Sequence, residues 1–486
     1  MTTERDLPPD SEVERRLRGW LRDTELTPPE AEQGLSRLLT DFPITPQHRR
    51  RWLGRWLGHG RGATRSADGR DDPAHHDNSR RNRLMFSVTG LVAGVAVVAL
   101  AASLVLPFEG DSVPPEVGTG STHVVAADGS GDFSTLAEAV AAAADGDTIL
   151  VRPGTYTEAI VIEKDIIIAG DGPREAIVIQ APEDGPTATI AAGGFESDPY
   201  AVILLDTEAS LSGLTFRGAR TVIFASGGSP TLESLALDGS GVPYGGGDDL
   251  SGFSIVVTGG STATIRNNEL TWGGPINVFD ASEPLIEGNT LSGGPHIFGW
   301  GFGDGAVIRG NTITGTSQHA IGIFNDSTTM LVEGNTIRDP GSSGIEVGYG
   351  LSDGLDPVIR DNTITGGSTG INVGGSRAGP VIEGNIINDA QFAGVWVTFA
   401  DGRIAGNTIR GSGGTGLTIL GGAPEVIDNV IEANKIGLVV SSQSEATFQE
   451  NRLCGNEVNA QTSGPNATLP DLAGNEVCPD GPAEGD

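Results

Sequence analysis

Over most of its length the chain sets apolar residues against polar or small ones in short alternating runs, and glycine punctuates the runs. Val307-Ile308-Arg309-Gly310-Asn311-Thr312-Ile313-Thr314-Gly315 is typical. Alternation over three or four positions, ended by a bend residue, predicts a short half-buried strand. The phrase apolar-x-x-Asn-x-[Ile/Leu/Val] returns at Asn268, Asn289, Asn311, Asn335, Asn362, Asn385, Asn407, Asn429 and Asn451, at steps of 21, 22, 24, 27, 23, 22, 22 and 22 residues. Repeats of this length are stacked copies of one supersecondary unit, because a single copy has nothing against which to bury its apolar side.

Equivalent residues of successive turns then lie about 4.8 Å apart. An asparagine on each turn can pass hydrogen bonds up the stack through its amide and satisfy backbone groups that an inward bend would strand. On these residues the chain, over about residues 122 to 478, resembles the right-handed parallel β-helix of the pectin-lyase-like superfamily. The resemblance implies an all-β solenoid. It implies no particular chemistry, since that architecture hosts lyases, hydrolases, esterases, epimerases, adhesins and inert spacers.

The repeat opens with His123-Val124-Val125-Ala126-Ala127-Asp128-Gly129 and then Thr135-Leu136-Ala137-Glu138, a capping-box spacing ahead of an Ala-rich stretch that ends near Gly146. A short amphipathic helix here would close the exposed end of the solenoid. This stretch resembles the opening of pectin methylesterases. That family's paired Gln positions, its Gly-x-x-Asp-Phe-Ile-Phe-Gly strand and its Leu-Gly-Arg-Pro-Trp segment have no counterpart further on, so the resemblance carries over the cap and not the activity.

After each asparagine phrase a second strand follows, as in Ile276-Asn277-Val278, Ile345-Glu346-Val347 and Val395-Trp396-Val397. If Ile276, Val278, Ile321, Ile323, Ile345 and Val347 face inward, then Asn277, Phe279, Phe324, Glu346, Asn372 and Trp396 face out on one surface. Only 5% of the chain is aromatic, yet this face gathers several such residues. Longer connections, around residues 238–251, 300–305 and 348–356, flank it. The face is a candidate carbohydrate groove, with Trp300, Phe324, Tyr349 and Trp396 stacking on sugars and Asn277, His296, His319, Glu346 and Asn372 bonding to hydroxyls. The competing reading is that the aromatics only cover strand edges.

Candidate catalytic groups are Asp248, Asp249 and Glu346. The Gly-Asp-Asp run resembles the Asp-Asp of polygalacturonases and would suit an inverting acid and base, but that family's Asn-Thr-Asp, Gly-His-Gly and Arg-Ile-Lys companions are missing. An Asp-Asp in a Gly loop also suits a calcium ligand or a turn, so Ca2+ is the one candidate cofactor. Cys454 and Cys478 suit a disulfide pinning the last coil. The residues Glu233, Arg266, Glu287, Arg309, Glu333, Arg360 and Glu383 alternate in sign turn by turn, which predicts a ladder of ion pairs.

Net charge is −33, and it is uneven. Residues 1–83 hold 16 Arg against 14 acids, leaving 14 basic against 49 acidic residues beyond them. Such a surface disfavours nucleic acid and bare polyuronates, and favours neutral or amino sugars. Leu84 to Leu106 carries no charge and is long enough for one membrane-spanning helix; Arg80, Arg81 and Arg83 precede it and acids follow, which places the amino terminus inside. A cleaved signal peptide is the alternative, against which stand the 83 preceding residues. The expected organisation is a helical cytoplasmic head with a basic and polar linker (1–83), a transmembrane helix (84–106), a linker (107–121), the β-helix (122–478) and an acidic tail (479–486). The functional expectation is a membrane-anchored extracytoplasmic β-helix that binds polysaccharide, acting on it, if at all, as a lyase or glycoside hydrolase. The alternatives are a non-catalytic stalk or adhesin, and an accessory solenoid resembling the periplasmic copper-maturation protein of nitrous oxide reductase.

Overall fold

The computed structural model describes residues 120–481, apart from 181, 183–188, 191–194, 197–199, 218–220, 239–254, 273, 295, 325–328, 349–355, 376–378 and 465–467. The expected head, membrane span and linker up to residue 119 lie outside the described residues, as do Asp248, Asp249 and Tyr349. What is described belongs to one compact unit, Val113–Asp486.

Three parallel sheets of 14, 14 and 13 strands run along the solenoid. Each coil gives one strand to each sheet, as Val307–Arg309, Thr312–Thr314 and Ile321–Ile323 do in turn. Strands this short carry one or two inward side chains, and those positions are filled by β-branched or leucine residues that suit a pleated surface. Ile265, Ile286, Ile308, Val332, Ile359 and Ile382 form one inward column, and Leu270, Leu291, Ile313, Ile337, Ile364 and Ile387 another, all fully buried. Ile276, Val278, Ile321, Ile323, Ile345 and Val347 point inward as expected and are equally buried.

The asparagines stand at the bend between the first and second sheets, each preceded by a residue in the left-handed region, such as Gly310 at φ 61° or Asp361 at φ 55°. That reversal turns the backbone inward and would strand polar groups in the core. The amides prevent it. The Oδ1 of Asn335 accepts from the backbone N–H and the Nδ2 of Asn311, both at 3.0 Å, while its own Nδ2 donates to the Ile308 carbonyl at 3.0 Å and to Asn362 Oδ1 at 2.9 Å. The relay extends past the expected set. It starts where Leu235 N–H donates to Asn268 and ends at Asn475, which accepts from Asn451. A second, shorter relay through Asn434 and Asn456 holds the bend between the second and third sheets.

A seven-residue helix, α1 (Leu136–Ala142), covers the first coil. Thr135 caps it by accepting from Glu138 N–H at 3.2 Å, while the Glu158 carboxylate takes the N–H groups of Leu136 and Ala137. The helix stops at Ala142, short of the expected Gly146, because Lys164 Nζ collects the carbonyls of Val140, Ala141 and Ala143 and Asp147 takes Ala144 N–H. At the far end Cys454 and Cys478 form the expected disulfide.

The charged column has the expected register, Glu233↔Arg266↔Glu287↔Arg309↔Glu333↔Arg360↔Glu383. It does not form a continuous ladder. Arg266, Arg309 and Arg360 each turn to the Glu of the preceding coil, at 2.6, 2.5 and 2.6 Å, and no described Arg of these three lies within 4.0 Å of the following Glu. Each of these three guanidiniums is directed to a single carboxylate, whereas Arg403, outside the column, divides between Glu383 at 3.5 Å and Glu425 at 3.3 Å. Like charges one strand spacing apart still penalise a slipped register. Arg309→Glu therefore lowers the denaturation midpoint more than Arg309→Ala, whose loss is about 0–1 kcal/mol; equal midpoints would contradict the register role.

Candidate functional site

The outward column of the third sheet runs Phe224, Val256, Asn277, Phe298, Gly322, Glu346, Asn372, Trp396 and Thr418, one residue per coil. Its two ends differ. At the start Tyr200, Ile203, Phe224, Val256 and Phe279 make a second small apolar cluster on the outside of the sheet. Phe279 thus points outward as expected but is buried, and so is unavailable as a platform.

Beyond it lies a patch of five rings. Phe298 sits 5.4 Å from Trp300, 5.5 Å from His319 and 4.9 Å from Phe324, and His296 is 5.6 Å from His319. Gly322 makes room for them: a Cβ there would fall 2.6 Å from the Phe324 ring and 2.7 Å from His319 Nε2. Trp300 is exposed, while His296 is only 2% exposed. Burial lowers the pKa of His296 to about 4, and burial with the neighbouring His296 lowers that of His319 to about 3, so both imidazoles are neutral near pH 7. The expectation that Asn277 and His296 offer open polar groups fails for a simple reason: both point outward and both are covered. Asn277 Nδ2 and His319 Nε2 are buried with no hydrogen-bond partner among the described residues.

Glu346 lies two coils past Phe298, 5% exposed, with Oε1 accepting from Asn372 Nδ2 at 2.8 Å. Burial raises its pKa to about 7, against which hydrogen bonds from Ser343 and Asn372 work. A carboxyl in that range can give or take a proton at neutral pH. The next coils bring Trp396, whose Nε1 donates to Thr398 Oγ1, and Phe392, 5.0 Å from it.

Two rim aromatics were invisible as such in the sequence. Trp272 and Phe399 both have φ 49°, and they are 66% and 49% exposed. Each ring lies over a glycine of the next coil: a Cβ on Gly293 would be 3.1 Å from Trp272, and one on Gly421 would be 2.6 Å from Phe399. A bulky side chain in the left-handed region is strained by about 1–2 kcal/mol. For metal ions the only candidate grouping among the described residues is Cys454, Glu476 and Cys478, and its two sulfurs are joined to each other.

Residues 286–470 match the family model described as periplasmic copper-binding protein (NosD), and residues 122–199 match that of pectinesterase. A cell surface glycoprotein of Methanothermus fervidus is 27% identical over 270 residues, covering 54% of this chain and 42% of the relative. Pectinesterase 3 of Solanum lycopersicum is 42% identical over 86 residues, 15% of this chain and 16% of the relative. The chain thus spans less than half the length of either. Among solved structures, the A-module of an Azotobacter vinelandii mannuronan C-5 epimerase is similar at 15% identity over 71% of this chain and 93% of that one, with a TM-score of 0.39. A GH87 α-1,3-glucanase catalytic domain in complex with nigerose is similar at 16% identity over 64% of each, with a TM-score of 0.44.

Glu346 also sets a pH dependence. The folded chain holds its proton up to about pH 7 against 4.5 for the unfolded one, so this stabilisation is complete below pH 4.5 and lost as the pH climbs through 7. Denaturant unfolding of Glu346→Gln should gain on the native chain by roughly 2–3 kcal/mol between pH 5 and 8.5. A gap that stays flat contradicts burial as the cause. With the asparagine relay, the three sheets and the cap all in place, the described residues form a capped, three-sheeted parallel β-helix.

Proposed function

We propose that this protein is a cell-surface β-helix that binds polysaccharide along the outer face of its third sheet, held to the membrane by residues 84–106 with its amino terminus inside. The observation that carries the reading is where the exposed aromatics fall. Among the described residues Trp272, Trp300, Phe392 and Phe399 are the aromatic side chains most open to solvent; Trp300, Phe392 and Phe399 abut strands of that sheet, and Trp272 stands at the bend that leads into it from the second sheet. Rings left open on a single face, with Glu346 and Asn372 between them, suit stacking on sugar faces and bonding to hydroxyls. Strand-edge cover alone does not call for two of them to be held in a strained backbone.

An extracytoplasmic setting is supported by the disulfide, which persists in oxidising compartments. It is supported also by the cell surface and periplasmic descriptions of the matched proteins. A second reading, hydrolysis or elimination on the bound chain, is favoured by Glu346 alone, whose proton is exchangeable near pH 7. Ca2+ would belong to that reading, through Asp248 and Asp249. The accessory role suggested by the copper-binding family model lacks a thiolate set, because Cys454 and Cys478 are spent on one another. A stalk needs no open rings on one face.

A glycan array probed with the purified chain, with and without calcium, tests the reading. Neutral glycans should bind, and Trp300→Ala with Trp396→Ala should weaken that binding by at least tenfold without lowering the melting temperature by more than a few degrees. Unchanged binding in the double variant would overturn the assignment of the face, and reducing-sugar release would distinguish an enzyme from a binder.

A further inference from the structure

Resting on that reading, we propose that the ligand is an uncharged glycan of about six residues or more, laid along the solenoid axis at one sugar per coil, and gripped at its two ends by separate aromatic pairs. The placement of the rings leads to this. Trp272 and Trp300 belong to the adjacent coils of Asn268 and Asn289, one before the third-sheet strand and one after it. Phe392 and Phe399 belong to the coil of Asn385 and likewise stand before and after its strand, Ala393–Thr398. The coils of Asn268, Asn289, Asn311, Asn335, Asn362 and Asn385 are six in number, so Trp272 and Trp300 stand five and four strand spacings from the coil of Phe392 and Phe399, about 24 and 19 Å. A pyranose in an extended chain advances by about one strand spacing, which lets successive sugars meet successive coils in register.

Between the ends the face carries the Phe298 and Phe324 rings and then polar groups, and Glu346 is the one carboxyl of its outward column. Glu346 and Asn372 occupy the fourth and fifth coils, and His319 the third. One polar atom here, His319 Nε2, is buried with no described partner, which a native fold tolerates where a ligand or water completes it. A sugar hydroxyl can both donate and accept, so it suits either imidazole tautomer. The net charge of −33 argues against acidic polymers on the same path.

The end rings carry their own signature. At its φ of 49°, Trp272 occupies a conformation that asparagine adopts readily, as Asn267 does in this chain at φ 54°. A ring kept there for packing would be missed by the fold, whereas a ring kept for a ligand would not. Trp272→Asn and Phe399→Asn should therefore leave the melting temperature unchanged or raised.

The test is a length series. Linear neutral gluco-oligosaccharides and N-acetylglucosamine oligomers of two to eight residues, with oligogalacturonates as the acidic control, are titrated into the full chain and followed by tryptophan fluorescence and calorimetry. Affinity for the preferred neutral series should rise with each residue to about six and then level. Trp272→Asn or Phe399→Asn should each weaken hexamer binding about fivefold or more and leave dimer binding as it was. Affinity that is already complete at two residues, tighter binding of oligogalacturonate, or asparagine variants that bind the hexamer normally would each overturn the six-coil span. If Trp300→Ala with Trp396→Ala abolishes binding while the asparagine variants do not, the face keeps its assignment and only the span fails. If no neutral glycan binds the native chain, both fall.

Discussion

One hydrogen-bonded relay sets the geometry on which everything else rests. An asparagine amide offers an acceptor and two donors in one small plane, so it can close the backbone N–H of the coil before it, the carbonyl it bends away from, and the amide of the coil after it. Asn311, Asn335 and Asn362 do so in succession at 2.9–3.0 Å. Each step leaves no room for a coil to slip, because a shift of one residue would leave a buried amide and two backbone groups unsatisfied, at about 1–3 kcal/mol each. Register fixed at one bend is register fixed on three sheets. The inward isoleucine columns, the Arg and Glu pairs and the straight outer column from Asn277 to Trp396 are all consequences.

On the outer face the same rigidity is put to a different use. Gly322 gives up a side chain to admit the His319 and Phe324 rings, Trp272 and Phe399 sit in backbone conformations that aromatic residues avoid, and Glu346 holds its proton in a site that raises its pKa. The left-handed backbone at Trp272 and Phe399 costs the fold rather than helping it. Local departures from good packing of this kind are what the proposed binding surface would leave behind. The buried cluster of Tyr200, Ile203, Phe224, Val256 and Phe279 bounds that surface at one end.

Much of the fold was legible in the chain. The asparagine phrase named the bend, the apolar-x-apolar beat named the inward residues, and Thr135 with Glu138 named the cap. Asn434, Asn456 and Asn475 obey the same phrase, through Ile431, Leu453 and Leu472 three places earlier, and reading it at both bends would have found them. The site was only half legible, because a period of two tells which way a side chain points and not what lies on top of it. Asn277, His296 and Phe279 point outward and are covered; Trp272 and Phe399 sit at turns, where no period applies. Charge spacing likewise gave the column of Glu and Arg but not which neighbour each guanidinium would choose.

The relay itself is tested most directly by hydrogen exchange in an Asn335→Ala variant. The Asn311 N–H donates to the Asn335 Oδ1, so its protection should collapse, along with that of the coils on either side, while the Asn407 N–H, bonded to Asn429, exchanges as slowly as before. An Asn311 N–H that stays as protected as in the native chain would contradict the account.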